Sequence, residues 1–323
     1  MIIPEYLENG DTIGITACSC GVLKKIDKFM KTLNNLKDNG FEVVETCNVR
    51  TDGLVSSDDV TRARELEELF LDEKVKMVAV ARGGDFLFDM LDKVDFSILA
   101  NNPKWFAGSS DPTSLLYILT TVYDVATIYS PCNMTGLDES PLHESYSTYL
   151  KILKGNLTKQ YKYDKCERES FSDDLSKDNE WVNINGDVRQ EGILIGGCID
   201  VLKDLIGTKF DKTNEFIEKY KEEGFIWYFD VFSMSSIELY NTLLQFKYAG
   251  WFKYAKAILI GKVCIQNNFV DVGYEELIKK ALLDIPVIYK FDVGHVKPSF
   301  TMINGMKARV ISCNQECSLE YID

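Results

Sequence analysis

Only two histidines occur in the chain, His143 and His295, so general acid–base chemistry near neutral pH has few places to reside. His143 lies in Pro141-Leu142-His143-Glu144-Ser145, a polar loop or helix start, and reads as an ordinary surface residue. His295 lies in Asp292-Val293-Gly294-His295-Val296-Lys297-Pro298, just past a predicted strand, where the glycine and proline indicate a shaped loop. Taken alone it also reads as a hydrogen-bonded structural histidine. The candidate nucleophile is Ser110 in Gly108-Ser109-Ser110-Asp111-Pro112, between a predicted strand and a predicted helix. Open α/β sheets place their ligands at such carboxyl edges. Backbone N–H groups there can hold a developing oxyanion, and the helix dipole assists. The same residues equally suit a helix cap.

Arg82-Gly83-Gly84-Asp85 also ends a predicted strand. Consecutive glycines let backbone amides approach a ligand closely, so the pair reads either as a second oxyanion donor or as a tight turn. It is not a dinucleotide fingerprint, because the G-x-G-x-x-G spacing is absent. Gly196-Gly197 offers the same choice between punctuation and a lining for a substrate carboxylate. A serine–histidine pair needs a carboxylate to fix the imidazole tautomer. Asp230, at the end of Ile226-Trp227-Tyr228-Phe229, would emerge at the same edge, or is a strand-terminal turn residue.

The elements that must position these groups alternate. Strands are expected at Thr12–Thr16, Phe41–Val44, Val75–Ala81, Lys104–Gly108 and Thr127–Tyr129. Helices are expected over Ile26–Leu36, from a Ser56/Asp59 capping-box start, through Leu87 and Leu91, and from Asp111-Pro112-Thr113. Repeated βα units imply a mostly parallel sheet with helices on both faces. Between about Tyr163 and Gly186 the pattern dissolves into Asp, Glu, Ser, Lys and Asn, the signature of a linker or surface excursion. Strands then resume at Gly192–Ile195, Phe225–Asp230, Ala257–Ile260 and Pro286–Phe291, with helices at Cys198–Leu205, Ile237–Tyr248 and Tyr274–Leu283 between them. Asn304-Gly305 suits the type I′ turn of a terminal hairpin. The division expected is a domain over 1–163, a linker over 164–190 and a domain over 191–323.

A chain of 323 residues suggests about two domains, and one this long buries enough surface to need no staples. Apolar residues make up 46% and charged residues 27%, ordinary globular values. The net charge of −14 argues against nucleic-acid and membrane partners. The opening Met1-Ile2-Ile3-Pro4-Glu5 lacks a basic and then apolar leader pattern, and no apolar run approaches a membrane span. The nine cysteines are scattered and only two histidines could join them, so free thiols in a reducing cytoplasm are expected rather than a zinc site.

Several of these segments stand in an order that resembles the LD-carboxypeptidases and microcin-immunity-type serine peptidases. They are Gly10-Asp11-Thr12-Ile13-Gly14, Val55 to Arg62, Arg82-Gly83-Gly84, Gly108 to Thr113, Gly196-Gly197, Ala249-Gly250-Trp251-Phe252 and Gly294-His295. The resemblance runs from Gly10 to Val310. It implies an α/β protein with a flavodoxin-like N-terminal domain and a swivelling β/α C-terminal domain, and a homodimer. It also implies Ser110 as nucleophile, His295 as general base, Asp230 as third triad member, the backbone amides of Gly84 and Asp111 as the oxyanion hole, and no metal or organic cofactor. Gly83, Gly196 and Gly197 are the expected substrate lining. The family normally has glutamate where this chain has Asp230, one methylene shorter, and many relatives have an acidic residue just after it that Val231–Ser235 lacks.

Two substrates follow from the resemblance: the L,D-amide of a muropeptide tetrapeptide, cut during cell-wall recycling, and a microcin-type peptidyl or aminoacyl nucleotide, cut for self-immunity. The second needs an aromatic platform for a nucleobase, for which Trp181 is the candidate, with a packed linker anchor as its other reading. The shortened carboxylate motivates a rival of another class, a peptide-fragment sensor that has lost catalysis. A flavodoxin-like nucleotide-binding module would need a phosphate loop that the chain does not contain.

Overall fold

Short apolar runs that bury nearly every residue become parallel strands, because only strands covered on both faces can do so. In the computed structural model, which describes residues 1–322, β1 (Thr12–Thr16) buries its last four residues. The chain divides into two compact units, Met1–Asn156 and Leu157–Asp323.

The first unit alternates β1, α1 (Ile26–Asp38), β2 (Glu42–Glu45), α2 (Asp59–Leu71), β3 (Val75–Val80), α3 (Phe96–Asn101), β4 (Trp105–Gly108), α4 (Thr113–Tyr123), β5 (Thr127–Tyr129) and α5 (Glu144–Leu153). Its five strands are parallel and stand in the order β5-β4-β3-β1-β2. This is the flavodoxin-like order, whose switch point lies between the first and third strands. Ser19, Gly83, Gly84 and Ser110 follow β1, β3 and β4, so they gather at the carboxyl edge of that sheet. Two local expectations change. The Leu87–Leu91 helix is a short 3₁₀ turn over Phe88–Asp92. The cap of α2 is Asp58, which accepts from the Thr61 N–H (2.8 Å), while Ser56 is buried and donates to the Ala17 carbonyl.

The second unit contains β6 (Gln160–Tyr161), β7 (Lys165–Cys166), β8 (Lys177–Asp178), β9 (Val182–Ile184), β10 (Val188–Cys198), α6 (Ile199–Leu205), α7 (Thr213–Lys219), β11 (Phe225–Asp230), α8 (Ser236–Tyr248), β12 (Ala255–Gly261), α9 (Tyr274–Ala281), β13 (Val287–Phe291), β14 (Met302–Asn304), β15 (Lys307–Cys313) and β16 (Glu316–Tyr321). Its main sheet runs β6-β16-β15-β10-β11-β12-β13-β9. The segment from β10 to β13 is parallel, and antiparallel strands flank it on either side. Behind it, Trp227, Phe246 and Trp251 are fully buried and stacked, with ring centroids 5.6 Å apart for the two tryptophans and 4.5 Å for Phe246 and Trp251. Side chains of this size contribute about 1.5–3 kcal/mol each when withdrawn from water.

The stretch expected as a linker or surface excursion at 164–190 carries short strands. β7 and β8 form a two-stranded ribbon, and β9 pairs antiparallel with β13 as an edge strand. Backbone pairing needs no apolar side chains, and Asn179 ties the stretch down by donating to buried Asp292 (2.8 Å). The hairpin expected at Asn304-Gly305 also moves. The terminal hairpin is β15–β16, closed where Cys313 pairs with Glu316. The Asn304 amide oxygen accepts instead from the Gly196 N–H (3.0 Å) and the Tyr228 hydroxyl (2.8 Å).

Candidate active site

In the first unit the chain leaves β4 through a strained turn. Ser110 has φ +69°, a left-handed value that a residue with a side chain adopts only where its surroundings impose it. Two side chains do so here. Asn133 grips Ser109, accepting from its N–H (2.9 Å) and donating to its carbonyl (3.0 Å), while the Tyr129 hydroxyl accepts from the Ser110 N–H (3.0 Å). The Ser110 carbonyl then accepts from Thr113 N–H at 2.9 Å, opening α4. A serine on a strained strand-to-helix turn has its hydroxyl presented at the sheet edge, as in nucleophile elbows.

The glycines of the loop after β3 fit closely around this turn. A Cβ at Gly83 would stand 3.2 Å from the Ser110 Cβ, and one at Gly84 only 2.3 Å from Ser19 Oγ and 2.6 Å from Cys20 Sγ. Among the described residues, neither the Gly84 nor the Asp111 N–H donates to a protein acceptor. The Asp111 side chain faces inward and accepts from Ser19 Oγ (2.6 Å) and the Leu87 N–H (3.1 Å). Burial pushes its pKa up to about 6, against the pull of those hydrogen bonds. Arg62, 1% exposed, fixes the loops from behind by donating to the carbonyls of Cys18 and Phe86 and to Asp89.

In the second unit, Asp230 ends β11 fully buried, and its Oδ2 lies 2.7 Å from Nδ1 of His295, which follows β13. Its Oδ1 accepts from the His295 backbone N–H at 3.1 Å. The shorter aspartate thus reaches the imidazole. Gly294 makes this approach possible, because with φ +109° a Cβ there would stand 2.0 Å from Asp230 Oδ1. The ring of Phe232 packs on the imidazole with centroids 4.6 Å apart. Burial works against a charged His295, but the Asp230 carboxylate overrides it and the pKa rises above the ordinary histidine value. Asp200 accepts from the N–H groups of Phe232 (2.9 Å) and Ser233 (3.0 Å), which shapes the loop after β11.

Gly196 and Gly197 are residues of β10, beside the end of β11. A Cβ at Gly196 would fall 1.9 Å from the Tyr228 carbonyl oxygen, so that glycine is required by strand packing in addition to any contact with substrate. His143 caps α5, with Nδ1 accepting from the Ser145 N–H (3.1 Å). Trp181 packs on Phe291 with ring centroids 4.4 Å apart, and on Phe300 at 5.9 Å, the arrangement of an anchor. Among the described residues no group of three or more His, Cys, Asp or Glu is disposed to hold a metal ion, and no helix is long and apolar enough to cross a membrane. The residues sequence reasoning missed are Tyr129, Asn133, Asp200 and Asn304, whose work is done through contacts distant in the chain.

Both units match known protein families. Residues 13–130 match the model of the LD-carboxypeptidase N-terminal domain, and residues 191–310 that of the C-terminal domain. The chain is 27% identical to a Bacillus subtilis protein named "Probable murein peptide carboxypeptidase", covering 98% of this chain and 94% of that one. It is 26% identical to the microcin C7 self-immunity protein MccF of Escherichia coli, covering 98% and 95%. Among solved structures, MccF in complex with aspartyl sulfamoyl adenosine superposes with a TM-score of 0.83 at 23% identity, covering 100% and 99%. A muramoyltetrapeptide carboxypeptidase from Oxalobacter formigenes gives 0.76 at 20%, covering 96% and 99%. The strained serine turn lies inside the first matched stretch and the buried aspartate–histidine pair inside the second, and with both domain models matched in order the chain belongs to the LD-carboxypeptidase family of peptidases.

Proposed function

We propose that the protein is a serine peptidase that hydrolyses the L,D-amide near the C-terminal end of a muropeptide tetrapeptide. The observation that carries the reading is the Asp230–His295 pair, a fully buried carboxylate 2.7 Å from Nδ1 of a partly exposed histidine. A proton held on Nδ1 toward Asp230 leaves Nε2 free to act as base. In this mechanism Ser110 attacks the carbonyl carbon and His295 takes the hydroxyl proton. The amides of Gly84 and Asp111 receive the oxyanion, each such donor contributing about 3 kcal/mol. His295 returns the proton to the departing amine, and water then hydrolyses the acyl-enzyme with His295 again as base.

Relatives named for murein peptide and muramoyltetrapeptide cleavage support the substrate class. The self-immunity reading draws on the likeness to MccF, yet the aromatic platform suggested for it, Trp181, is occupied with Phe291 and Phe300. The nine free thiols suit a reducing cytoplasm. A panel assay tests the choice, offering the enzyme a muropeptide tetrapeptide and a processed microcin analogue at equal concentration. Release of the terminal amino acid from the tetrapeptide, with the nucleotide analogue turned over at least about tenfold more slowly, is the expected result. The reverse order would transfer the assignment to the self-immunity substrate, and tight tripeptide binding with no turnover of either would favour a sensor.

A further inference from the structure

The second unit holds a cavity of about 410 Å³ lined in part by Glu167, Lys177, Lys262, Cys264, Lys290 and Val296, which the mechanism above does not use. Val296 follows His295 in the chain, and the Cys264 N–H donates at 3.0 Å to the carbonyl of Val231, the residue after Asp230. The cavity therefore adjoins the aspartate–histidine pair. Several of its charges are already matched, Lys262 by Asp292 (2.6 Å) and Lys290 by Glu180. Glu167 is different. It is 3% exposed, and its backbone N–H is fixed to the Lys297 carbonyl at 2.8 Å. Neither carboxylate oxygen has a well-formed hydrogen bond. Burial raises its pKa, and Lys297 and the backbone amides of Lys297 and Phe171 counter this only in part. The Lys297 ammonium is itself engaged with Asp173 at 2.9 Å. A buried carboxylate with unused lone pairs is unfavourable until a donor arrives, and charged donors satisfy it best.

We propose that this cavity is a side-chain subsite for the peptide, and that Glu167 takes a positively charged amino group on the residue beside the cleaved bond. The proposal rests on the peptidase reading above and adds the chemistry by which the substrate is chosen. A site with a buried hydrogen-bonding group rejects a ligand that leaves that group unpaired.

The test uses two tetrapeptides that differ only in whether the amino side chain of the third residue is free or acetylated. The full-length enzyme and Glu167→Gln are compared by kcat/KM, and by calorimetric affinity on the Ser110→Ala background. The unaltered cavity is expected to prefer the free amine by about 10- to 100-fold, and Glu167→Gln to reduce that preference to within about threefold, mainly through KM and Kd. The ratio within each variant cancels any shared folding defect. Binding preference without turnover would sink the peptidase reading and keep the subsite. Equal affinities for the two peptides, no binding of either, or a preference that survives Glu167→Gln would overturn the subsite.

Discussion

Replacing Ser110 with alanine is expected to lower kcat for release of the terminal residue by about 10⁴-fold or more, with peptide affinity changed by no more than about threefold. The substitution removes one hydroxyl and little else. The strained turn is set by Asn133 on Ser109 and by the Tyr129 hydroxyl on the Ser110 amide, and all three bonds end on backbone atoms of the turn that alanine retains. The amides of Gly84 and Asp111 also remain, so a residual rate above the uncatalysed reaction is expected from oxyanion stabilisation and binding alone. Steady-state chromatography of the released amino acid, with calorimetry for affinity, checks both halves. Turnover near the unaltered rate would remove Ser110 from the mechanism.

The second large effect is expected from Asp230→Asn, which keeps the size of the side chain and removes its charge. A loss of about 10⁴-fold in kcat follows when the orienting carboxylate can no longer hold the productive imidazole tautomer. The pH profile separates this role from a structural one. With Asp230 present, the His295 pKa lies above its ordinary value, and a base must be neutral to accept a proton. Activity of the unaltered enzyme is therefore lost as pH falls through a value above that of a free histidine. With asparagine the strongest influence raising the pKa is gone, and burial, which lowers it, is opposed only by the weaker pull of Asp200 and Glu167. The acid limb is then expected to move to lower pH while the rate at its plateau collapses. An unshifted limb would mean that Asp230 does not set the charge state of His295.

The parallel strands were legible because their burial on both faces demands apolar runs, such as Met77–Val80 and Phe225–Phe229. Ser110, Gly83 and Gly84 were legible as candidates because small residues between a strand and a helix mark a carboxyl edge. Asp230 and His295 lie 65 positions apart, and only the fold brings them to 2.7 Å. What remained hidden depended on tertiary partners. Tyr129 and Asn133 are an ordinary strand residue and an ordinary loop residue until the sheet places them on Ser109 and Ser110. Asn304 sits beside Gly305 in a pair with strong turn character, yet its amide is drawn to Gly196 and Tyr228. Residues 164–190 look like a linker because their strands lie at edges, where backbone pairing supplies order that side-chain composition does not announce. Glu167 lies in that same polar stretch, and its burial could not be read from its neighbours.

In the proposed mechanism a single hydroxyl, that of Ser110, is activated by His295 and performs the nucleophilic step. The most direct test of that step is covalent labelling with a fluorophosphonate probe, followed by intact mass and peptide mapping of the full-length protein. The mechanism predicts one adduct per chain, located on Ser110, forming at least about 100-fold more slowly in His295→Ala. Labelling at any other residue, or peptide hydrolysis by a protein whose Ser110 stays unmodified under saturating probe, would contradict it.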